Sequence, residues 1–277
     1  MGTSRKKNER SFHRNGSLRE ETSYAGNRRH GPRRAWHPNG LPAVEEFYEH
    51  GQLHGLCRQW NPQGRLLGSY RMEHGTGIMR EWFPDGRLQS EMSLVAGKFT
   101  GRIRVWLRDG TLVNEQFVIE NRNVTPAAYA AAAKKQADWP RYRAGSAKKK
   151  FPTAEEIDRR EFELNIEWLL AQKNKREARA WLKAGTQKCS LGLFQFTQAQ
   201  SLVEKIYAAG ALQVFAVNIY SGKDGKQFSD ALLVKLPPEK SARQAIRRLS
   251  TKLPAKLRAG VLPVDDCGEE FLFASFA

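Results

Sequence analysis

One spacing dominates the first half of this chain. Aromatic residues recur at Phe12, Trp36, Trp60, Trp82 and Trp106, at separations of 24, 24, 22 and 24 residues. Each is followed four residues later by a glycine: Gly16, Gly40, Gly64, Gly86 and Gly110. A second glycine comes at Gly26, Gly51, Gly75 and Gly97, and a third at Gly31, Gly55, Gly77 and Gly101, five residues before the next ring. Spacing this regular marks a structural repeat. The turns read RNG, HPNG, NPQG, FPDG and LRDG, in which Pro presets φ and Asn or Asp before Gly supplies the positive φ of a tight hairpin. The runs between glycines, about seven residues each, suit single strands and are too short for helices. Each period therefore reads as one β-hairpin, and the hairpins stack into a long meandering sheet.

Arginine stands two residues before every ring: Arg10, Arg34, Arg58, Arg80 and Arg104. Side chains i and i+2 of a strand share a face, so a column of guanidinium groups is expected beside a column of rings. Five residues after each turn glycine comes Glu21, Glu45, Ser69, Glu91 or Glu115, acidic in four of five periods, and an apolar residue follows at Tyr24, Tyr48, Met72, Leu94 and Val118. Two readings are compatible with these columns. Arg and Glu pair across strands to hold a thin sheet together. Alternatively Arg34, Trp36, Arg58, Trp60, Arg80, Trp82, Arg104 and Trp106 form a binding face, because Arg and Trp are enriched in interface hot spots.

The second half has another rhythm. Thr153 and Glu156 form a capping box that opens a helical stretch toward Gly185, divided at Gln172 to Lys175. Strands then follow over Leu191–Phe196, Leu212–Tyr220, Ala231–Leu236 and Phe271–Phe276, with helices over Gln198–Ala209 and Glu239–Leu253. This βαββαβ order is that of a ferredoxin-like sandwich. The loop SGKDGK at Ser221–Lys226 lacks the spacing of a phosphate-binding loop and falls in a hairpin. RNA recognition in the RRM manner needs rings on the third strand, which here reads Ala231, Leu232, Leu233, Val234.

Net charge becomes informative once it is divided. The chain carries +17 over 277 residues, and +7 of it lies in residues 121–150. There Lys134, Lys135, Arg141, Arg143, Lys148, Lys149 and Lys150 form a basic linker with room for one short helix. It is either a solvated connector or a nonspecific contact for polyanions, nucleic acid or an acidic membrane. The three separated cysteines, Cys57, Cys189 and Cys267, form no CxxC pair and suit a reduced, cytoplasmic protein. No signal peptide or myristoylation motif is expected, and the longest uncharged run, Ile206–Gly222, holds Gly210, Gln213 and Asn218 and is too short to span a membrane.

No catalytic set, metal site or cofactor motif is read. All six histidines, His13, His30, His37, His50, His54 and His74, track the repeat, and several of them directly precede its glycines. That placement suits turn construction better than metal ligation. Asp265, Asp266, Glu269 and Glu270 cluster in an expected solvated turn.

The units HPNGLPAVEEFYEHGQLHGLCRQW and FPDGRLQSEMSLVAGKFTGRIRVW resemble the variant MORN repeat of the bacterial YwqK-type antitoxin family, over about residues 9–120. The fifth period loses its second and third glycines at Glu120 to Asn123, which places the end of the array there. The resemblance implies a non-enzymatic binding surface for another protein, in some members a cognate toxin. The chain is thus expected to be α+β: a basic tail (1–8), a β-hairpin array (9–120), a basic linker (121–152), a helical segment (153–185) and a ferredoxin-like domain (186–277).

Overall fold

In the computed structural model, which describes residues 6–13, 16–142, 151–184, 188–192, 194–221, 225–251, 259–263 and 265–276, each period of the repeat folds as a β-hairpin. The chain divides between Ile157 and Asp158 into two units. The first is built on strands β1 (Lys6–Phe12), β2 (Leu18–Ala25), β3 (Arg28–Trp36), β4 (Pro42–Glu49), β5 (Gln52–Leu53), β6 (Gly55–Trp60), β7 (Leu66–Glu73), β8 (Thr76–Trp82), β9 (Leu88–Val95), β10 (Lys98–Trp106), β11 (Leu112–Ile119) and β12 (Arg122–Val124). They form one 12-stranded antiparallel sheet in sequence order, with β5 pairing β4 beside β6.

Two turn types alternate along the sheet. After each ring comes a three-residue loop: His37 N–H donates to Leu41 O (2.8 Å) and Gly40 N–H to His37 O (2.8 Å), and the same pair of bonds recurs at His13, Asn61, Phe83 and Leu107. Gly40, at φ +83°, supplies the left-handed residue of a G1 bulge. The ladder accordingly slips at Ser11/Phe12, Ala35/Trp36, Gln59/Trp60, Glu81/Trp82 and Val105/Trp106. At the other end of the sheet are two-residue turns with positive φ at both positions, the type I′ pattern, at His50–Gly51, His74–Gly75, Ala96–Gly97 and Glu120–Asn121. Asn121 stands where the earlier periods have glycine and holds φ +68°, which Asn tolerates better than most residues. The array therefore runs one hairpin strand further than the loss of glycine suggests, to Val124.

The bulge also changes the expected ring column. Cys57 pairs with Tyr70 on one face of the sheet, whereas Arg58 pairs with Ser69 on the other. Trp82 packs with the Cys57, Tyr70, Met72 and Leu94 cluster, on the face opposite Arg80. Its indole covers Gly68, where an added Cβ would lie 2.3 Å from ring carbons. The Gln59 side chain bonds the Trp82 backbone at both N (3.2 Å) and O (3.0 Å). At the last repeat the ring stays near its arginine, with Arg104 Cζ 4.8 Å from the Trp106 centroid.

Residues 126–142 close the end of the sheet. Helix α1 (Pro126–Ala133) is capped by Thr125 Oγ1, which accepts from Ala128 N (3.1 Å). It buries Tyr129 among Phe117, Trp139 and Tyr142, at centroid distances of 5.4, 5.9 and 5.8 Å. The Tyr142 hydroxyl lies 2.6 Å from Ser93 Oγ and accepts from Arg102 N (3.2 Å).

The second unit contains most of α2 (Ala154–Ala171), then β13 (Arg176–Glu177), α3 (Ala178–Ala184), β14 (Cys189–Leu191), α4 (Phe196–Ala208), β15 (Gln213–Val217), β16 (Tyr220–Ser221), β17 (Gln227–Ser229), β18 (Ala231–Lys235), α5 (Lys240–Thr251), β19 (Ala259–Leu262) and β20 (Phe271–Phe276). The Thr153–Glu156 capping box forms at α2, with Thr153 N to Glu156 Oε2 at 2.7 Å and Glu156 N to Thr153 Oγ1 at 3.2 Å. A five-stranded sheet runs β13-β15-β18-β20-β19. Leu232 and Val234 face the cluster of Trp181, Leu202 and Ile206, and Ala231 and Leu233 face Ile166 and Leu169 of α2. The ferredoxin-like order expected from the sequence is not what assembles this sheet. Of the segment expected as its first strand, Leu191–Phe196, only Leu191 is in a strand: β14 lies earlier, ends before Gly192 (φ +54°) and pairs in parallel with β17 in a separate three-stranded sheet, and Phe196 opens α4. Strand β18 pairs instead with β15 and β20.

Gly68→Ala is expected to push Trp82 off its seat and lower stability by about 1–3 kcal/mol, the usual cost of overpacking. Urea unfolding of the full chain measures this, and an unchanged midpoint would contradict the seating of the indole.

Candidate functional site

The alternating turns fix the register so that the repeat's charged positions fall in one row across the strands. Arg10 lies opposite Glu21, Glu21 opposite Arg34, Arg34 opposite Glu45 and Glu45 opposite Arg58. After Ser69 the row resumes with Arg80 opposite Glu91, Glu91 opposite Arg104 and Arg104 opposite Glu115. Glu45 bridges Arg34 (3.1 Å) and Arg58 (2.9 Å), Glu91 bridges Arg80 (3.2 Å) and Arg104 (2.5 Å), and Arg10 pairs with Glu21 (2.7 Å). The pairing expected from the columns is therefore present. It leaves the arginines accessible: the Arg34, Arg58 and Arg80 side chains keep 43%, 38% and 37% of their exposure. Trp36, Trp60, Trp82 and Trp106 are all half-buried. A shorter row lies on the opposite face, where Arg33 bridges Glu20 and Glu46 at 2.9 Å each. Burial works against the Arg33 charge, but the two carboxylates outweigh it and raise its pKa.

The histidines build turns. His30 Nδ1 accepts from His50 N (3.4 Å) and His54 Nδ1 from His74 N (3.2 Å); Thr76 and Thr100 hydroxyls serve Ala96 N (3.0 Å) and Glu120 N (3.1 Å) at the next two turns. These bonds satisfy the amide of each left-handed residue. At the bulge end, His13 and His37 Nε2 bond the Trp36 (2.7 Å) and Trp60 (2.9 Å) carbonyls, and burial holds His37 below the ordinary imidazole range. Glu49, His54 and His74 bring one ligand-type atom each within 4.8 Å of one another. Since His54 Nδ1 accepts an amide, its Nε2 is the protonated nitrogen, facing Glu49 Oε2 at 3.8 Å. A cation at Nε2 would break the turn's hydrogen bond, so this arrangement serves the turn.

Of the basic linker residues, Lys134, Lys135 and Arg141 are exposed beyond the body of α1, and Arg143 and Lys148, Lys149 and Lys150 lie outside the described residues. The carboxylate cluster is not simply a solvated turn. Asp265 and Glu270 are exposed, but Arg243, 8% exposed on α5, grips Asp266 through Nε (3.0 and 2.9 Å) and Nη2 (2.5 Å), and Arg247 pairs with Glu269. The Arg243–Arg247 spacing on a helix was the available signal for this pairing. The three cysteines are free, with Cys57 and Cys189 buried. No described helix is long and apolar enough to cross a membrane.

In comparisons with known proteins, no family model, no curated protein and no solved structure matches the chain.

The Arg243 hydrogen bonds lower the Asp266 pKa to about 2, below the ordinary carboxylate value it regains on unfolding. The carboxylate's contribution is then fully present above about pH 4 and is lost as pH falls toward 2. Asp266→Asn removes the nearer of the two carboxylates beside the buried Arg243, leaving Glu269 at 3.6 Å, and should cost about 1–3 kcal/mol at pH 7, with the difference from wild type shrinking toward pH 2. Unfolding curves at several pH values check both; a pH-independent difference would contradict the pairing.

Proposed function

We propose that the repeat sheet is a non-catalytic protein-binding surface of antitoxin or immunity type, in keeping with the resemblance of its units to YwqK-type repeats. The observation that carries the reading is the row of arginines held at fixed strand intervals yet still accessible. Ordering long side chains through ion pairs before a partner arrives reduces the entropy lost on binding. Planar guanidinium groups on a rigid sheet also suit bidentate contacts with carboxylates. Arg34, Arg58, Arg80, Arg104, Trp36, Trp60 and Trp106 are the contact residues on this reading. Trp82 supports the sheet through its seat on Gly68.

The competing use is polyanion binding by Lys134, Lys135 and Arg141 with the lysines that follow. Affinity capture from the native host at moderate salt separates the two. A protein retained by a chain with those lysines changed to Gln, and lost on the combined Trp60→Ala and Arg58→Ala change, is the expected result. Capture of nucleic acid alone, abolished by the lysine changes and indifferent to the sheet changes, would contradict the proposal.

A further inference from the structure

The charge row is interrupted once, and the interruption has a shape. Glu45 and Glu91 each sit between two arginines of neighbouring strands, at 2.9 and 3.1 Å and at 3.2 and 2.5 Å. The equivalent position in the middle repeat is Ser69, opposite Arg58. Continuing the Met72–Gly77 register by three residues places Arg80 opposite Ser69 on its other side. The central repeat therefore retains both arginines of the mould and omits the carboxylate.

Other features of the same place agree. Ser69 and Arg71 are exposed and share a face, since they are two residues apart on β7. Arg71 thus adds a third cation beside the gap. Glu73, the next acidic side chain on that strand face, is four residues from Ser69, about 13 Å along the strand.

Resting on the reading of the sheet as a protein-binding face, we propose that Arg58, Arg71 and Arg80 around Ser69 form a site for an acidic side chain, Glu or Asp, of the partner protein. The carboxylate enters where the repeat's own glutamate is missing and takes the two-arginine contact that Glu45 and Glu91 make within the sheet. A carboxylate is favoured over a phosphate because the flanking repeats already hold a carboxylate in this setting.

The direct test is Ser69→Glu in the full chain, which fills the gap from within. Its melting temperature should rise by a few degrees, and its affinity for a fluorescent hexaglutamate peptide should fall about tenfold or more, as expected for loss of charge-assisted hydrogen bonds. Gln89→Glu, an exposed change two residues from Glu91, adds the same charge outside the gap and should alter affinity less than about twofold. Equal binding by wild type and Ser69→Glu, equal losses in both variants, or no binding by wild type would each overturn the site. So would tighter binding of a single-stranded oligonucleotide that Ser69→Glu leaves untouched. The host protein captured by the chain distinguishes the two levels. If it is lost on the Trp60 and Arg58 changes but stays bound to Ser69→Glu, the sheet is the binding face and the acidic site is wrong. If it survives both, the sheet reading itself is wrong.

Discussion

Register is the constraint on which this structure depends. A G1-bulge turn at one end of each hairpin and a left-handed two-residue turn at the other set the strand length, so residues one period apart line up across the sheet. A slip of one residue would move every arginine to the opposite face and every core residue with it. The turns are themselves tied together: Gly97 N–H donates to Gly75 O (3.0 Å), and Gly75 N–H to Leu53 O (2.7 Å). Each turn thus helps to fix the next.

The two faces of the sheet follow from that register. One face collects Cys57, Tyr70, Met72, Leu94 and Trp82 into a small core, and the other carries the long row of alternating charges. Individual exposed pairs of this kind contribute little, on the order of 0.2–1 kcal/mol each. Their larger effect is to hold arginines extended and evenly spaced. Stability comes instead from burial at the middle of the sheet and from the aromatic closure by Tyr129, Trp139 and Tyr142 at its end.

Much of the repeat was legible because glycine and ring spacing report turn geometry directly. Hairpin order, strand lengths and the Arg–Glu pairing all follow from it. The position of Trp82 does not, because a bulge rotates the ring away from the i+2 face, and only the absence of a side chain at Gly68 hints at its seat. Asn121 hid the last hairpin, since a left-handed Asn looks like the end of a glycine pattern. In the second unit, the Thr153 capping box and the apolar run Ala231–Val234 were readable from local chemistry. The partition of short strands into two sheets was not, because it depends on which non-local partner Cys189–Leu191 finds. The gap at Ser69 was visible as a missing glutamate, but its meaning required the flanking Glu45 and Glu91 geometry.

The most direct measurement of the central claim follows the arginine Nε–Hε signals of the full chain by NMR as hexaglutamate is added. The account predicts that the signals of Arg58, Arg71 and Arg80 move together, while those of Arg10 and Arg34 change little. Shifts confined to Arg141 and Arg143, or spread evenly over all arginines, would contradict it.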